Sequence, residues 1–242
     1  MRRKKPIYLL VHGAWHGNWC WEKVVPLLEK EGITVIAPNL PGHEKNSRSF
    51  LGITLQTYVD FIKRLTHSLN SPIHLVGHSL GGVIISQVAE EIPNKIEKLI
   101  YVAALLPSTG SSCVIEASQQ SLNNVSSLLS QNKQANEMHC DLSSPLQVKN
   151  AFYHCCTQND FQLALKNLQP EPLQPMLDTV VLSERFSKVK KRYIECLQDR
   201  AIDINNQRRM VEKTKIQEVI SLDCDHSPFL SMPSLFTQAL LY

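Results

Sequence analysis

The sequence has no apolar run that would cross a membrane. Its two long uncharged stretches, Leu65 to Ala89 and Leu99 to Ile115, are interrupted by Pro, Gly, Asn, His or Ser, and a span needs roughly 20 predominantly apolar residues in succession. The basic start, Met1-Arg2-Arg3-Lys4-Lys5-Pro6, is followed by an apolar run, Ile7 to Val11, that stops at His12-Gly13. That run is too short for a secretory signal, so the start reads as a solvated tail leading into a strand. Charge of one sign is also scarce: the net charge is +3 and no basic patch interleaves with aromatics, which argues against a nucleic-acid partner. The seven cysteines are an odd number and include no Cys-x-x-Cys and no metal-ligand spacing. They read as reduced, buried or half-buried thiols without a catalytic role in a cytoplasmic protein. No internal repeat is visible. The 242 residues, 43% of them hydrophobic, suffice for one sizeable core and permit a single α/β domain with an insertion.

What is there is organised around Ile73-His74-Leu75-Val76-Gly77-His78-Ser79-Leu80-Gly81-Gly82. Gly-x-Ser-x-Gly alone is a weak signal, because Gly and Ser are common in turns. Here an apolar strand leads in and a helical run, Val83 to Ile92, leads out. That is the context in which a sharp, strained turn raises a serine hydroxyl above a sheet edge. Side chains at Gly77 or Gly81 would collide with neighbouring backbone. The Leu80 N–H, at the start of the helix, is expected to point into the same space as Ser79 Oγ.

Along the chain, Ile7–Val11, Ile33–Ala37, Ile73–His78 and Lys98–Leu105 read as strands, Ile7–Val11 and Lys98–Leu105 of the kind buried on both faces. Between them, Trp19–Lys30, Leu55–Leu69 and Val83–Ile92 read as helices. The alternation predicts a parallel sheet flanked by helices. From Ser108 to about Ser187 the chain turns rich in Ser, Gln and Asn, with helical patches at Leu146–Tyr153 and Phe161–Leu168 and no convincing buried strand. This stretch is expected to be a mostly helical cap over Ser79; its apolar residues argue against a disordered linker. The sheet resumes at Lys191–Leu197 and ends at Ile216–Leu222, with helices at Asn205–Lys215 and Ser234–Leu241. The expected division is a core of residues 1–107 and 188–242 and a cap of residues 108–187.

A serine needs a base, and the base needs a group that fixes its tautomer. In this architecture the chain order is Ser, then Asp or Glu, then His, each after a strand. His226, a few residues past the final strand, is the best base. Asp199 is the best acid, with Asp203 as the fallback; Asp225 adjoins His226 awkwardly and Asp223 reads as a turn residue. Two backbone donors, Leu80 N–H and one from the His12-Gly13-Ala14-Trp15 loop, would form an oxyanion hole. His12 is expected to shape backbone and His78 to point away from Ser79. His16, His43, His139 and His154 are candidate substrate contacts.

These residues resemble the α/β-hydrolase superfamily, and within it the branch of plant-type methylesterases and hydroxynitrile lyases with their bacterial esterase relatives. The resemblance is carried by Val11-His12-Gly13-Ala14-Trp15-His16, Trp19, Trp21, Pro38-Asn39-Leu40-Pro41-Gly42-His43, the Ser79 turn, Tyr193-Ile194-Glu195-Cys196 leading to Asp199, Gln207 and Asp225-His226-Ser227-Pro228-Phe229. It implies an α/β-hydrolase fold, a Ser-His-Asp enzyme with no cofactor and no metal, and Ala14 as the second oxyanion donor. The lyases carry a Thr where Gly13 stands and a Lys where Ser227 stands, so cyanohydrin cleavage is disfavoured. The expected activity is hydrolysis of a small ester in an apolar pocket lined by Trp15, His16, Leu105 and Phe229. The partner is then a small-molecule ester, with a homodimer left open. A ligand-binding receptor on the same fold, and less favoured a lyase, are the other readings.

Overall fold

A computed structural model describes residues 5–44, 49–120 and 125–242. The outer part of the basic tail, residues 1–4, lies outside the described residues. Strand β1 (Ile7–Val11) leads through a short 3-10 turn at Asn18–Trp21 to α1 (Val25–Lys30) and β2 (Thr34–Ile36). Then come α2 (Leu55–His67), β3 (Ile73–His78), α3 (Gly81–Glu91) and β4 (Ile96–Val102). An insertion holds α4 (Cys113–Ala117), β5 (Leu129–Asn132), β6 (Glu137–Cys140), α5 (Pro145–Phe152), α6 (Gln158–Asn167), β7 (Glu171–Pro172), α7 (Gln174–Leu177) and α8 (Glu184–Lys188). The chain closes with β8 (Lys190–Cys196), α9 (Ile204–Thr214), β9 (Glu218–Leu222), α10 (Pro228–Ser231) and α11 (Pro233–Leu241).

Six strands form one parallel sheet in the order β2-β1-β3-β4-β8-β9. Its central strands read as unbroken apolar runs because helices cover both faces: Leu9, Leu10, Val11, Leu75, Val76, Leu99 and Ile100 are all fully buried. Helix α2 opens with Thr54, whose hydroxyl accepts from the Thr57 N–H in a reciprocal capping arrangement. It lays Leu55, Tyr58, Val59 and Ile62 onto the core, with α3 beside it. Every strand of this sheet runs the same way, so all six carboxyl ends and the loops after them gather at one rim.

Three sequence expectations need correcting. Trp19–Lys30 is not one helix. Pro26 has no N–H to donate and is tolerated only in a first turn, so α1 starts at Val25 after a separate 3-10 turn. Trp21, Val24 and Leu28 still reach the core. The insertion, expected to lack strands, contains an antiparallel three-stranded sheet, β5-β6-β7. Its strands are two to four residues long, β5 mostly exposed, β6 mostly half-buried and β7 buried, and all are too short to establish an alternating pattern. All seven cysteines are free; Cys155 is exposed rather than half-buried. Among the described residues no helix is long and apolar enough to cross a membrane.

Candidate active site

The β3–α3 turn carries Ser79 at φ 52°, in the left-handed region that a non-glycine residue rarely occupies. The turn closes because its neighbours lack side chains. A Cβ on Gly77 would lie 2.6 Å from the Gly81 carbonyl oxygen, and one on Gly82 would lie 2.2 Å from the Leu105 carbonyl oxygen. The Ser79 carbonyl is gripped twice, by the Gly82 N–H at 3.0 Å and the Leu105 N–H at 3.1 Å. A peptide unit is planar and trans, so fixing its C=O aims its N–H the opposite way. That N–H belongs to Leu80, and among the described residues no protein acceptor takes it.

The loop after β1 obeys the same logic. The Gly13 carbonyl accepts from the His12 ring Nδ1–H at 2.9 Å and from the His16 N–H at 3.3 Å. The Ala14 carbonyl accepts from His16 Nδ1–H at 2.7 Å. The Trp15 N–H donates to Glu171 Oε2 at 3.0 Å, and the Trp15 carbonyl accepts from Gln169 N–H at 3.1 Å. Of the six polar groups in these three successive peptides, the Ala14 N–H is the one without a protein acceptor among the described residues. Ala14 and Leu80 both line the cavity onto which Ser79 and His226 open.

His226 follows β9 and is 2% exposed. Its Nδ1 lies 2.7 Å from Asp199 Oδ2. A carboxylate oxygen accepts, so Nδ1 carries the proton and Nε2 is left as a base. Asp199 is held on all sides: Oδ1 accepts from the Ala201 and Ile202 N–H groups at 2.8 and 2.9 Å, and Oδ2 also accepts from Gln207 Nε2 at 3.1 Å. Asp203, the fallback acid, instead caps α9 through the Asn205 and Asn206 N–H groups. Asp223 accepts from Gln198 Nε2. His78 points away from the cavity and donates Nε2–H to the His226 carbonyl at 2.9 Å.

The cavity measures about 310 Å³, at the small end of ligand sites. Trp15 and Leu105 are among its walls, with Phe152, Met138 and Met176 from the insertion. Its polar side chains besides Ser79 and His226 are the uncharged Ser118, Gln120, Ser126 and Gln131. His16 and Phe229, expected to line it, do not. His16 stacks on Trp19 and accepts at Nε2 from the Tyr153 hydroxyl at 2.7 Å, while Phe229 is fully buried against Trp21 and His78. Both form an aromatic floor behind the loop. Burial pushes the His16 pKa down to about 3 and holds His12 and His78 well below the usual imidazole range, neighbouring histidines adding to the effect. Neutral rings are what the two His12 and His16 tautomers require, since each uses one nitrogen as donor and the other as acceptor. Of the other candidate contacts, His43 donates into Glu171 and His139 pairs with Glu137; neither they nor His154 reach the cavity lining.

Sequence reasoning missed Glu171 and Tyr153, and weighed Asp225 only as an acid for its neighbour. Asp225 is fully buried; its Oδ2 accepts from the Cys155 N–H at 2.7 Å and its Oδ1 from the Ser227 N–H at 3.1 Å. It thereby joins the His226 loop to the insertion. Burial, followed by the neighbouring Asp225 charge, pushes the Cys156 thiol far up.

A parallel sheet with a serine on a strained strand–helix turn, and loops from later strands meeting it at the carboxyl rim, defines an α/β hydrolase. The chain matches the alpha/beta hydrolase family over residues 8–239 and belongs to it. It is 32% identical to methylesterase 9 of Arabidopsis thaliana, over 97% of this chain and 96% of that protein. A chloroplastic relative in the same plant, number 11 of the methylesterase series, is also 32% identical over 97% of this chain; the chain spans 63% of its length. Among solved structures, a pyrethroid hydrolase from Sphingobium faniae superposes with a TM-score of 0.88 at 26% identity, covering 98% of this chain and 96% of that one. The chain is a methylesterase-like α/β hydrolase.

Proposed function

We propose that this chain is a serine esterase that cleaves small, uncharged carboxylic esters through an acyl-enzyme. In this reading Ser79 Oγ attacks the ester carbonyl while His226 Nε2 takes its proton. The Ala14 and Leu80 N–H groups receive the oxyanion. His226 returns the proton to the leaving alcohol, and Asp199 holds the imidazole and balances its transient charge. Water, activated by the same imidazole, then releases the acid. The insertion of residues 108–187 is taken as the cap that shapes the acyl pocket.

The observation that carries the reading is the pair of unengaged backbone donors, one in each loop beside Ser79, in a mostly apolar cavity. The carbonyls on the other side of their peptides, those of Gly13 and Ser79, each accept two hydrogen bonds, so these two donors are preorganised for a charge that develops only in the transition state. Each such donor supplies about 3–4 kcal/mol of transition-state stabilisation. Apart from His226 and the inert Cys113 thiol, no ionisable side chain among the described residues lines the cavity. Uncharged substrates with an apolar or aromatic acyl group therefore fit, and no cation retains the carboxylate product. The names of the relatives, methylesterases and a pyrethroid hydrolase, are consistent with ester substrates. Seven free thiols support a reducing compartment such as the cytoplasm as part of the same proposal.

The lyase reading gains nothing from the site. A Cβ on Gly13 would stand 2.8 Å from Ser79 Cβ, so the lyase threonine does not fit, and Ser227 is fully buried. The test is turnover of a panel of chromogenic esters, varied in acyl and alcohol size, by the wild type and Ser79→Ala. The variant should lose at least about 10³-fold in kcat on every ester. Undiminished turnover would refute the mechanism, and a single turnover followed by tight product retention would favour a receptor.

A further inference from the structure

Glu171 is a fully buried carboxylate in the insertion, and among the described residues its one ion-pair partner is the imidazole of His43. Burying a carboxylate is costly unless its oxygens are well supplied with donors. Here they are. Oε1 accepts from the Tyr58 hydroxyl at 2.8 Å; Oε2 accepts from His43 Nε2–H at 2.8 Å and from the Trp15 N–H at 3.0 Å. Two of the three donors come from the core and the third from the loop that carries Ala14. Trp15 itself is at φ 63°, a strained conformation for a bulky residue that must be held from outside. Everything polar on Trp15 is held by the insertion: the N–H by Glu171, the carbonyl by Gln169 N–H, and the indole Nε1–H by the Met138 carbonyl at 3.1 Å.

We propose that Glu171 is a positioning residue for the oxyanion hole: by taking the Trp15 N–H it holds that residue left-handed and keeps the Ala14 N–H aimed into the cavity. The inference rests on the esterase reading above. Were Trp15 to relax toward negative φ, the chain after it would carry the His16 N–H off the Gly13 carbonyl, leaving the Gly13–Ala14 peptide, and so the Ala14 N–H, held only by the His12 ring. The donor would then leave the place where negative charge develops, while the apolar walls that bind the ground state would remain. The second donor, Leu80 N–H, is fixed independently by the Ser79 turn. Losing Glu171 therefore weakens the oxyanion hole by one donor and leaves the nucleophile and base untouched. It also means that the cap and the oxyanion hole are one assembly, completed only when β7 is seated on the core.

The experiment compares Glu171→Met, isosteric but without an acceptor, with Glu171→Gln, whose carbonyl oxygen can take the Trp15 N–H. Both are assayed on a short chromogenic ester and titrated with an alkylboronic acid, which forms a tetrahedral adduct on the serine, and with the acid product. Glu171→Met should lose about 100-fold in kcat with KM within about threefold. Its affinity for the boronic acid should fall in step with kcat while product affinity stays, and Glu171→Gln should recover most of both. Full kcat in folded Glu171→Met, or parallel loss of kcat and product affinity, would overturn the proposal. Should Glu171→Met fail to fold, Tyr58→Phe loosens the carboxylate without touching the loop; it should lower kcat and boronate affinity together, by several-fold, and no change in either overturns the proposal. Ser79→Ala run alongside separates the two levels. Turnover in that variant would sink the esterase reading, whereas an inactive Ser79→Ala beside a fully active Glu171→Met would sink only the role of Glu171.

Discussion

Asp199 and Asp225 are both buried carboxylates beside the loop of His226, yet they serve different groups. Asp199 Oδ2 faces the imidazole Nδ1, whereas Asp225 faces the Cys155 and Ser227 N–H groups. Asp199→Asn should lower kcat about 10³- to 10⁴-fold while the thermal midpoint moves little, because an amide can present its NH₂ to Nδ1 and so select the wrong tautomer. Asp225→Asn should do the reverse: kcat within about tenfold, and a lower Tm from the weakened tie to the insertion. Paired kinetics and thermal melts check both; a larger kcat loss in Asp225→Asn would reassign the acid. At this scale the sequence was legible where residues sit at fixed distances from a strand end, as Ser79, Asp199 and His226 do. It was silent on Glu171, whose loop partner Trp15 is 156 residues away, and it weighed Asp225 only as an acid for His226, not as the tie to Cys155, 70 residues away. Nothing local in Pro170-Glu171-Pro172 marks a buried acceptor. His16 and Phe229 were misplaced for a related reason: adjacency to a motif says which loop a side chain belongs to, not which side of that loop it faces.

The Ser79 turn behaves as a single element in which three strands and a helix are locked by contacts too close for any side chain. Gly82 makes the sharpest demand, with the Leu105 carbonyl 2.2 Å from where a Cβ would be. That carbonyl belongs to the segment whose Leu105 N–H holds the Ser79 carbonyl. Gly82→Ala should therefore displace this segment, costing about 2–3 kcal/mol of overpacking and lowering Tm by about 5 °C or more. Loss of kcat should accompany it, since the Leu80 N–H is aimed by the same contact. Circular-dichroism melts and ester turnover on the purified variant check this; an unchanged Tm would show that the segment yields freely. The central strands of the parallel sheet were readable because burial on both faces leaves an unbroken apolar signature. The insertion's sheet was not, because Leu129–Asn132 and Glu137–Cys140 are four residues each and pair only with one another and with a two-residue strand. Their order comes from seating on the core, through ties such as Asn136 Nδ2 to the Phe50 and Ile53 carbonyls.

Over the whole molecule, the three buried histidines His12, His16 and His78 make the fold acid-labile in a window set by their own titration. Each has a folded pKa below its unfolded value near 6.5, His16 down to about 3, because burial disfavours the imidazolium. Above pH 6.5 all three are neutral whether the chain is folded or not, so they cost nothing. As pH falls below 6.5 the unfolded chain takes up protons that the folded chain refuses. Stability then declines, by up to about 1.4 kcal/mol per pH unit for each histidine and about 4 for the three together. Carboxylates held below their usual range, among them Asp60, Glu90, Glu195 and Glu218, add to the decline only nearer their own unfolded values of roughly 4 to 4.5. Between pH 6.5 and 5 the slope is therefore a histidine property. Urea unfolding at pH 8, 6.5, 5.8 and 5.2 should give a nearly flat free energy down to 6.5 and then a fall that steepens toward three protons, to which His74 and His154, also lowered by burial, add. A net stability of about 5–15 kcal/mol would be exhausted within a few pH units. His16→Gln, whose amide can mimic one donor and one acceptor, should remove about one proton from that slope. A free energy of unfolding that stays level from pH 8 to 5.2 would mean that the imidazoles accept protons in the folded chain, and the fixed tautomers that orient the Ala14 peptide could not then be their native state.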